Sequence, residues 1–155
     1  SIPISVKIQG KCDGYRRCIS VLFGWNCMNN GKCRCKSGHE VVSWSEREID
    51  DWLYDLGYQT IYEPKVPTEK GNLIADWLIL PQKGLDKPVI IEYWGLLRED
   101  NRAQWVEDRL PRYKEKKIYK EDLYESLEDY YYISIYPNEM EMGKDMIVEK
   151  LDILK

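Results

Sequence analysis

Residues 89–95, VIIEYWG, decide the fold of this chain, because they place an acid inside a strongly apolar stretch. The segment VIIEYW is short and dense in apolar residues, which predicts a central β-strand covered on both faces. Side chains alternate along a strand, so Glu92 shares one face with Ile90 and Trp94. An isolated carboxylate on such a face costs several kcal/mol or stays neutral. Glu92 therefore needs a partner.

A second acid occupies a similar position in the preceding apolar stretch, LIADWLIL at residues 73–80. Asp76 shares a strand face there with Ile74 and Leu78. Two carboxylates on neighbouring strands avoid the cost of burial when they converge on one divalent cation. Mg²⁺ is typically held by one or two carboxylates together with water and substrate phosphate. Asp76 and Glu92 therefore predict a site for Mg²⁺ or Mn²⁺.

The surrounding sequence predicts an α/β domain with a mixed sheet. Residues 43–56 have helical spacing, 58–80 read as a β-hairpin, and 129–137 form a further strand. A polar helix is predicted between the last two strands, within 98–127, with Pro111 in its first turn. Such a helical crossover allows these two strands to run parallel. Asn138 is expected to cap a final helix, whose inner face includes Ile147, Leu151 and Leu154.

Glu46 on the first predicted helix has two interpretations. It lies one turn before Ile49, at the edge of the buried face, where it could join the two strand acids. With Ser43 as the N-cap, Glu46 is instead the reciprocal partner of a capping box. The helical periodicity alone favours the cap.

The order of these elements, together with the stretch EYWG, resembles the PD-(D/E)XK nuclease superfamily, the restriction-endonuclease-like fold. The resemblance covers about residues 43–155 and implies a mixed β-sheet flanked by helices. It implies that Asp76 and Glu92 bind the catalytic metal with the backbone carbonyl of Tyr93, and that Glu46 helps to organise that site. The family usually has a lysine two residues after the third-strand acid. Trp94 stands at that position here.

In the Glu-Tyr-Trp-Gly subgroup that the chain resembles, a lysine on the following helix replaces the missing one. The stretch RYKEKKIYK at 112–120 offers four lysines. Lys116 lies one turn after Tyr113 and one turn before Tyr119, so it is the preferred candidate, followed by Lys117. Lys114 and Lys120 are less favoured. A run of charges on a helix is otherwise a solvated face.

The first 40 residues form a distinct, cysteine-rich segment, which predicts a boundary between domains at 1–40 and 41–155. Residues 1–39 hold seven lysines or arginines and one aspartate, a formal charge of +6, against −10 for the remainder. Such a basic segment suggests contact with an anionic partner, and nucleic acid is the first choice. All five cysteines lie here, at Cys12, Cys18, Cys27, Cys33 and Cys35.

These cysteines allow three interpretations. Four thiolate or imidazole ligands would hold a structural Zn²⁺, with Cys12, Cys18, Cys27 and either Cys33 or Cys35 as the favoured set. A disulfide framework is the second interpretation, although five cysteines leave one thiol over. Free thiols are the third.

The sequence therefore predicts a Mg²⁺- or Mn²⁺-dependent nuclease that hydrolyses phosphodiester bonds in DNA. The alternatives are a non-catalytic binding protein on a nuclease-like fold, for nucleic acid or protein, and an unrelated interaction protein whose acids are caps and surface groups. The 155 residues contain no apolar run of about 18, so no membrane-spanning helix is expected. A nuclease is expected to be cytoplasmic, and a homodimer is compatible with the sequence.

Overall fold

The computed structural model describes residues 8–11, 17–19, 26–27, 31–98 and 104–155, with side chains for 31–98 and 106–155. The chain divides into two compact units, Ser1–Gly57 and Tyr58–Lys155. Each unit combines helix with β-structure, so the chain has the mixed α/β character that its sequence predicts.

The first unit consists of short strands followed by one helix. A two-stranded antiparallel sheet is formed by β1 (Ile8–Lys11) and β2 (Arg17–Ile19). A three-stranded antiparallel sheet contains β3 (Asn26–Cys27), β4 (Cys33–Arg34) and β5 (Glu40–Val41). The helix, α1, spans Trp44–Asp55, and Ile49 and Leu53 are buried on one face, as the helical spacing predicts.

The first unit includes α1 and ends at Gly57, whereas the change in composition lies near residue 40. Hydrogen bonds tie the end of the cysteine-rich segment to α1. The Lys36 N–H donates to Asp51 Oδ1 at 2.8 Å, and Ser37 Oγ donates to Asp50 Oδ1 at 2.5 Å. The cysteine-rich, basic composition ends near residue 40, but these hydrogen bonds join residues on the two sides of that position.

The second unit is built around a four-stranded mixed sheet. Its elements are β6 (Thr60–Tyr62), β7 (Lys65–Thr68), β8 (Gly71–Ile74), β9 (Trp77–Ile79), β10 (Val89–Tyr93), α2 (Gln104–Glu125), β11 (Tyr131–Ile135), a 3-10 helix (Pro137–Met142) and α3 (Lys144–Asp152). The strand order in the sheet is β11-β10-β9-β6. Strand β10 is parallel to β11 and antiparallel to β9. The central position of β10 and the helical crossover through α2 are as predicted.

The predicted hairpin at 58–80 is present and bends sharply at its midpoint. Strand β6 pairs with β9, and β7 with β8, in one continuous register. At the bend the Glu63 N–H donates to the Asp76 carbonyl at 2.9 Å, and Glu63 has a positive φ of 50°. The bend places Asp76 between β8 and β9. Ile74, the predicted core neighbour of Asp76, is exposed because it lies beyond the bend.

Pro111 lies inside α2, and the prediction that it occupies the first turn is wrong. A proline in a helix interior removes a backbone hydrogen bond and costs about 3 kcal/mol. The helix nevertheless continues for fourteen residues after Pro111. Leu123 and Tyr124 are buried in this later part of the helix, which shows that tertiary packing outweighs the local cost.

The prediction that Asn138 caps the last helix is also wrong. Asn138 lies within the 3-10 helix, and Gly143 is the N-cap of α3. Ile147 and Leu151 are buried on α3 as predicted, whereas Leu154 is half-buried beyond its end.

No helix in the part of the chain that the structure describes is long and apolar enough to cross a membrane.

Candidate active site

Asp76 directly precedes β9, and continuing the pairing of β9 with β10 puts it opposite Glu92. The ladder between β10 and β9 ends with Ile91 opposite Trp77, so the next pair along the register is Glu92 and Asp76. Residues directly opposite in an antiparallel pair have side chains on the same face, with Cβ atoms about 4.5–5.5 Å apart. The Tyr93 N–H donates to Asp76 Oδ2 at 2.7 Å and holds this carboxylate against β10. The structure therefore brings the two predicted metal-binding acids together.

Glu92 is buried, with 3% of the residue exposed, and α2 supplies its partners. Lys120 Nζ donates to Glu92 Oε1 at 2.5 Å, and the Tyr124 hydroxyl donates to the same oxygen at 2.8 Å. Because both donors contact Oε1, Oε2 is the oxygen that remains for a cation.

Lys120 connects three elements of the second unit. It is 7% exposed, and besides Glu92 its ammonium group donates to the Ile74 carbonyl at the end of β8, at 2.7 Å. A lysine ammonium has three N–H donors, so two are used and one is left for a bound water or an anionic ligand. The buried ammonium group of this site belongs to one of the two lysines that the sequence favoured less.

Two tyrosines beside the carboxylates keep their protons at neutral pH. Burial raises the pKa of Tyr124, and the negative charge of Glu92 raises it further. Burial also raises the pKa of Tyr113, and the negative charges of Asp76 and Glu92 raise it further. Both hydroxyl groups are therefore hydrogen-bond donors rather than anions in this site.

The two preferred lysines lie elsewhere. Lys116 is exposed, and so is Tyr119, at 46%, which had been expected to face the sheet with it. Lys117 is half-buried and pairs with Glu121. The inner face of α2 passes through Tyr113, Lys117, Lys120 and Tyr124 at spacings of four, three and four residues, whereas Lys116 lies one position away from it.

Trp94 stands where the resemblance implies a lysine, and it is part of a hydrogen-bonded network. It is buried, and its indole N–H donates to the Tyr132 hydroxyl at 3.1 Å. That hydroxyl donates to Glu121 Oε2 at 2.7 Å, and Glu121 in turn accepts from Lys117. Trp94 and Lys117 therefore belong to one hydrogen-bonded network, which does not include Glu92.

Glu46 lies in the first unit and takes part in the cap of α1. Ser43 is the N-cap, and its hydroxyl accepts from the Glu46 N–H at 3.1 Å. The Glu46 carboxylate accepts from the Val42 N–H at 3.2 Å. These contacts agree with the capping interpretation, except that the Glu46 carboxylate accepts from the N–H of Val42 rather than from that of the N-cap, Ser43. The role in a metal site that the resemblance implies for Glu46 stays a prediction.

Replacing Ser43 with alanine is expected to lower the free energy of unfolding by about 1 kcal/mol, because the Glu46 N–H loses its acceptor. Ser43→Asp is the matched control and should retain the stability, since aspartate also accepts at an N-cap. Urea denaturation followed by circular dichroism measures both. Equal losses in the two variants would contradict the capping role.

The two cysteines whose side chains the structure describes differ in state. Cys33 is disulfide-bonded, as in the second interpretation of the cysteine pattern. Cys35 is a free, buried thiol. Cys18 and Cys27 belong to β2 and β3, of which the structure describes only the backbone. Cys12 lies outside the described residues. The predicted Zn²⁺ site built from these cysteines stays a prediction.

Comparison of the chain with protein-family models, curated proteins and solved structures gave no match. The arguments for function therefore come from the geometry of the site itself.

Proposed function

We propose that this protein is a divalent-metal-dependent nuclease of the restriction-endonuclease-like fold that hydrolyses phosphodiester bonds in DNA. The observation that supports the proposal is that the Asp76 carboxylate is hydrogen-bonded to the residue after Glu92, while the buried Lys120 is bonded to Glu92 itself. Two acids and one lysine at the ends of the inner strands are the groups that the resemblance to PD-(D/E)XK nucleases implies.

The donor set suits Mg²⁺ or Mn²⁺. Both acids offer hard carboxylate oxygens, and Mg²⁺ takes one or two of these while water and phosphate complete its shell. The Tyr93 carbonyl follows Glu92 directly on β10 and is the third protein ligand that we propose. A cation held there would lower the pKa of a bound water and neutralise charge that develops on the phosphoryl group.

The side chains around this pair have their own parts in the proposed reaction. Asp76 is oriented by the Tyr93 N–H, and Glu92 by Lys120 and Tyr124. The remaining N–H of Lys120 is available for the substrate. In the proposed reaction it donates to the attacking water or to a phosphoryl oxygen. Tyr124 stays protonated and so fixes the orientation of Glu92 throughout.

One observation favours a second candidate function, a non-catalytic binding protein. Glu92 and Lys120 form an ion pair inside the protein, so the acid is accommodated without a metal ion. A binding protein that retained the nuclease-like fold would keep this ion pair as a structural contact.

A cleavage assay distinguishes the two candidates. The chain is incubated with linear and with circular DNA in Mg²⁺, in Mn²⁺ and in excess EDTA, next to an Asp76→Asn variant. Asp86→Asn is the matched control, because Asp86 is an exposed aspartate whose carboxylate accepts from the Tyr131 hydroxyl. We expect cleavage with either metal, none in EDTA and none with Asp76→Asn, while Asp86→Asn retains it.

DNA binding without cleavage in any metal would reject the nuclease and support the binding protein. Cleavage that survives in EDTA or in Asp76→Asn would place the reaction at another site. Cutting of circular DNA would in addition identify an endonuclease.

A further inference from the structure

The first unit contains a compact cluster of metal-ligating side chains that the proposed nuclease function does not use. Cys35 Sγ and one carboxylate oxygen each from Asp50 and Asp51 all lie within 4.8 Å of one another. All three residues are buried, and Cys35 is 5% exposed. The thiol comes from the segment after β4, and the two acids are successive residues of α1.

We propose that Cys35, Asp50 and Asp51 bind a zinc ion. One sulfur and two carboxylate oxygens form a donor set for a cation of intermediate softness, since Mg²⁺ and Ca²⁺ do not favour sulfur ligands. Zn²⁺ binds sulfur at about 2.3 Å and carboxylate oxygen at about 2.0–2.2 Å. In a tetrahedral site these lengths put neighbouring ligand atoms about 3.5 Å apart. The three ligand atoms lie within 4.8 Å of one another, so small side-chain rotations would bring them to this spacing.

Charge balance supports a dication at this position. With a metal bound, the two carboxylates and the thiolate would together carry three negative charges, and burial of such charges without compensation is costly. Arg47 is buried beside them, with Nε 3.7 Å from Asp51 Oδ2, and offsets one charge. A zinc ion would offset the other two and leave the cluster neutral.

Neighbouring groups hold two of the three proposed ligands in place through hydrogen bonds. The Cys35 N–H donates to the His39 carbonyl at 2.8 Å, which closes a tight loop that carries the thiol. His39 Nδ1 lies 2.8 Å from Asp50 Oδ2, and Ser37 Oγ donates to Asp50 Oδ1. Partners of this kind, which orient a ligand without binding the metal, are typical of zinc sites. We assign His39 this positioning role, and water fills the fourth coordination position.

Cys33 strengthens the assignment of the thiol. It lies two residues before Cys35 and is engaged in a disulfide, whereas Cys35 is free and directed at the two acids. A site of this composition differs from a site made of cysteines alone, because it depends on two aspartates of α1.

Zinc content in purified variants of the full chain tests the proposal. The protein is equilibrated with ZnCl₂, desalted, and analysed for zinc by mass spectrometry. We expect one zinc per chain in the wild type and loss of this zinc in Cys35→Ser and Asp50→Asn. Asp55→Asn is the matched control and should keep the zinc, because Asp55 lies on the same helix and pairs with Lys36 at the surface. Circular dichroism shows whether each variant is folded.

Cobalt substitution keeps the proposal testable if a variant fails to fold. Co²⁺ bound to the wild type should give tetrahedral d–d bands and a charge-transfer band with the intensity of one thiolate. A folded Asp50→Asn that retains its zinc, a charge-transfer band of three or four thiolates, or no zinc in the wild type would each overturn the proposal. The first two results would indicate a site built from cysteines instead.

Discussion

Replacing Lys120 with methionine is expected to slow metal-dependent DNA cleavage by about 100- to 1,000-fold, the typical loss when one donor to a developing oxyanion is removed. This expectation rests on the proposed nuclease function. Lys120 is the buried cation of the site, with its ammonium group on Glu92 and on the Ile74 carbonyl. Methionine has a similar length and no charge, so it fills the space while removing the donor. The measurement is the single-turnover rate at saturating Mg²⁺.

Lys116→Met is the matched control for this prediction. The same chemical change is made four residues earlier on α2, at an exposed position. We expect a rate within about twofold of the wild type, since surface substitutions away from packed features have small effects. A large loss at Lys116 together with a small one at Lys120 would contradict the assignment made here and support the lysine that the sequence favoured.

The same ion pair is expected to give the largest effects on stability. Lys120→Met and Glu92→Leu should each lower the free energy of unfolding by about 3–5 kcal/mol, because each leaves one buried charge unpaired. The double variant removes both charges and should recover most of that loss. In Glu92→Leu the Tyr124 hydroxyl also loses its acceptor, so recovery is not expected to be complete.

A double-mutant cycle in urea measures the coupling between the two residues. Losses that simply add in the double variant would show that the pair is not a compensated buried interaction. The cycle also separates stability from chemistry. If the proposed function is correct, the double variant is well folded and still inactive, whereas a purely structural role of the pair would leave its cleavage of DNA intact.

The sheet and its two acids could be predicted from the sequence because strand periodicity is local. The alternation in VIIEYW puts Glu92 on a definite face, and the hairpin signals put Asp76 on the neighbouring strand. The sequence does not predict the bend at Glu63 or the exposure of Ile74. A positive φ at a non-glycine residue leaves no clear signal in composition or periodicity.

The lysine could not be identified in the same way, because the buried face of α2 is not an apolar stripe. Its middle positions are Lys117 and Lys120, both of which pair with acids. A helix face through Tyr113 and Tyr119 predicts Lys116, but Tyr119 is exposed. A signal was present in the spacing of Leu110, Tyr113, Lys117, Lys120, Tyr124 and Leu127, which alternates three and four residues with apolar groups at both ends.

The hydrogen bond from the Tyr93 N–H to Asp76 has a consequence for the thermodynamics of cation binding. Immobilising a flexible side chain costs about 0.5–1.5 kcal/mol of entropy each time it occurs during association. Here Asp76 loses that freedom when the chain folds, because the Tyr93 N–H holds its carboxylate. Tyr93 also supplies the backbone carbonyl that is the neighbouring ligand in the proposed site. The carboxylate is thus preorganised, and an arriving ion meets an oxygen that is already ordered.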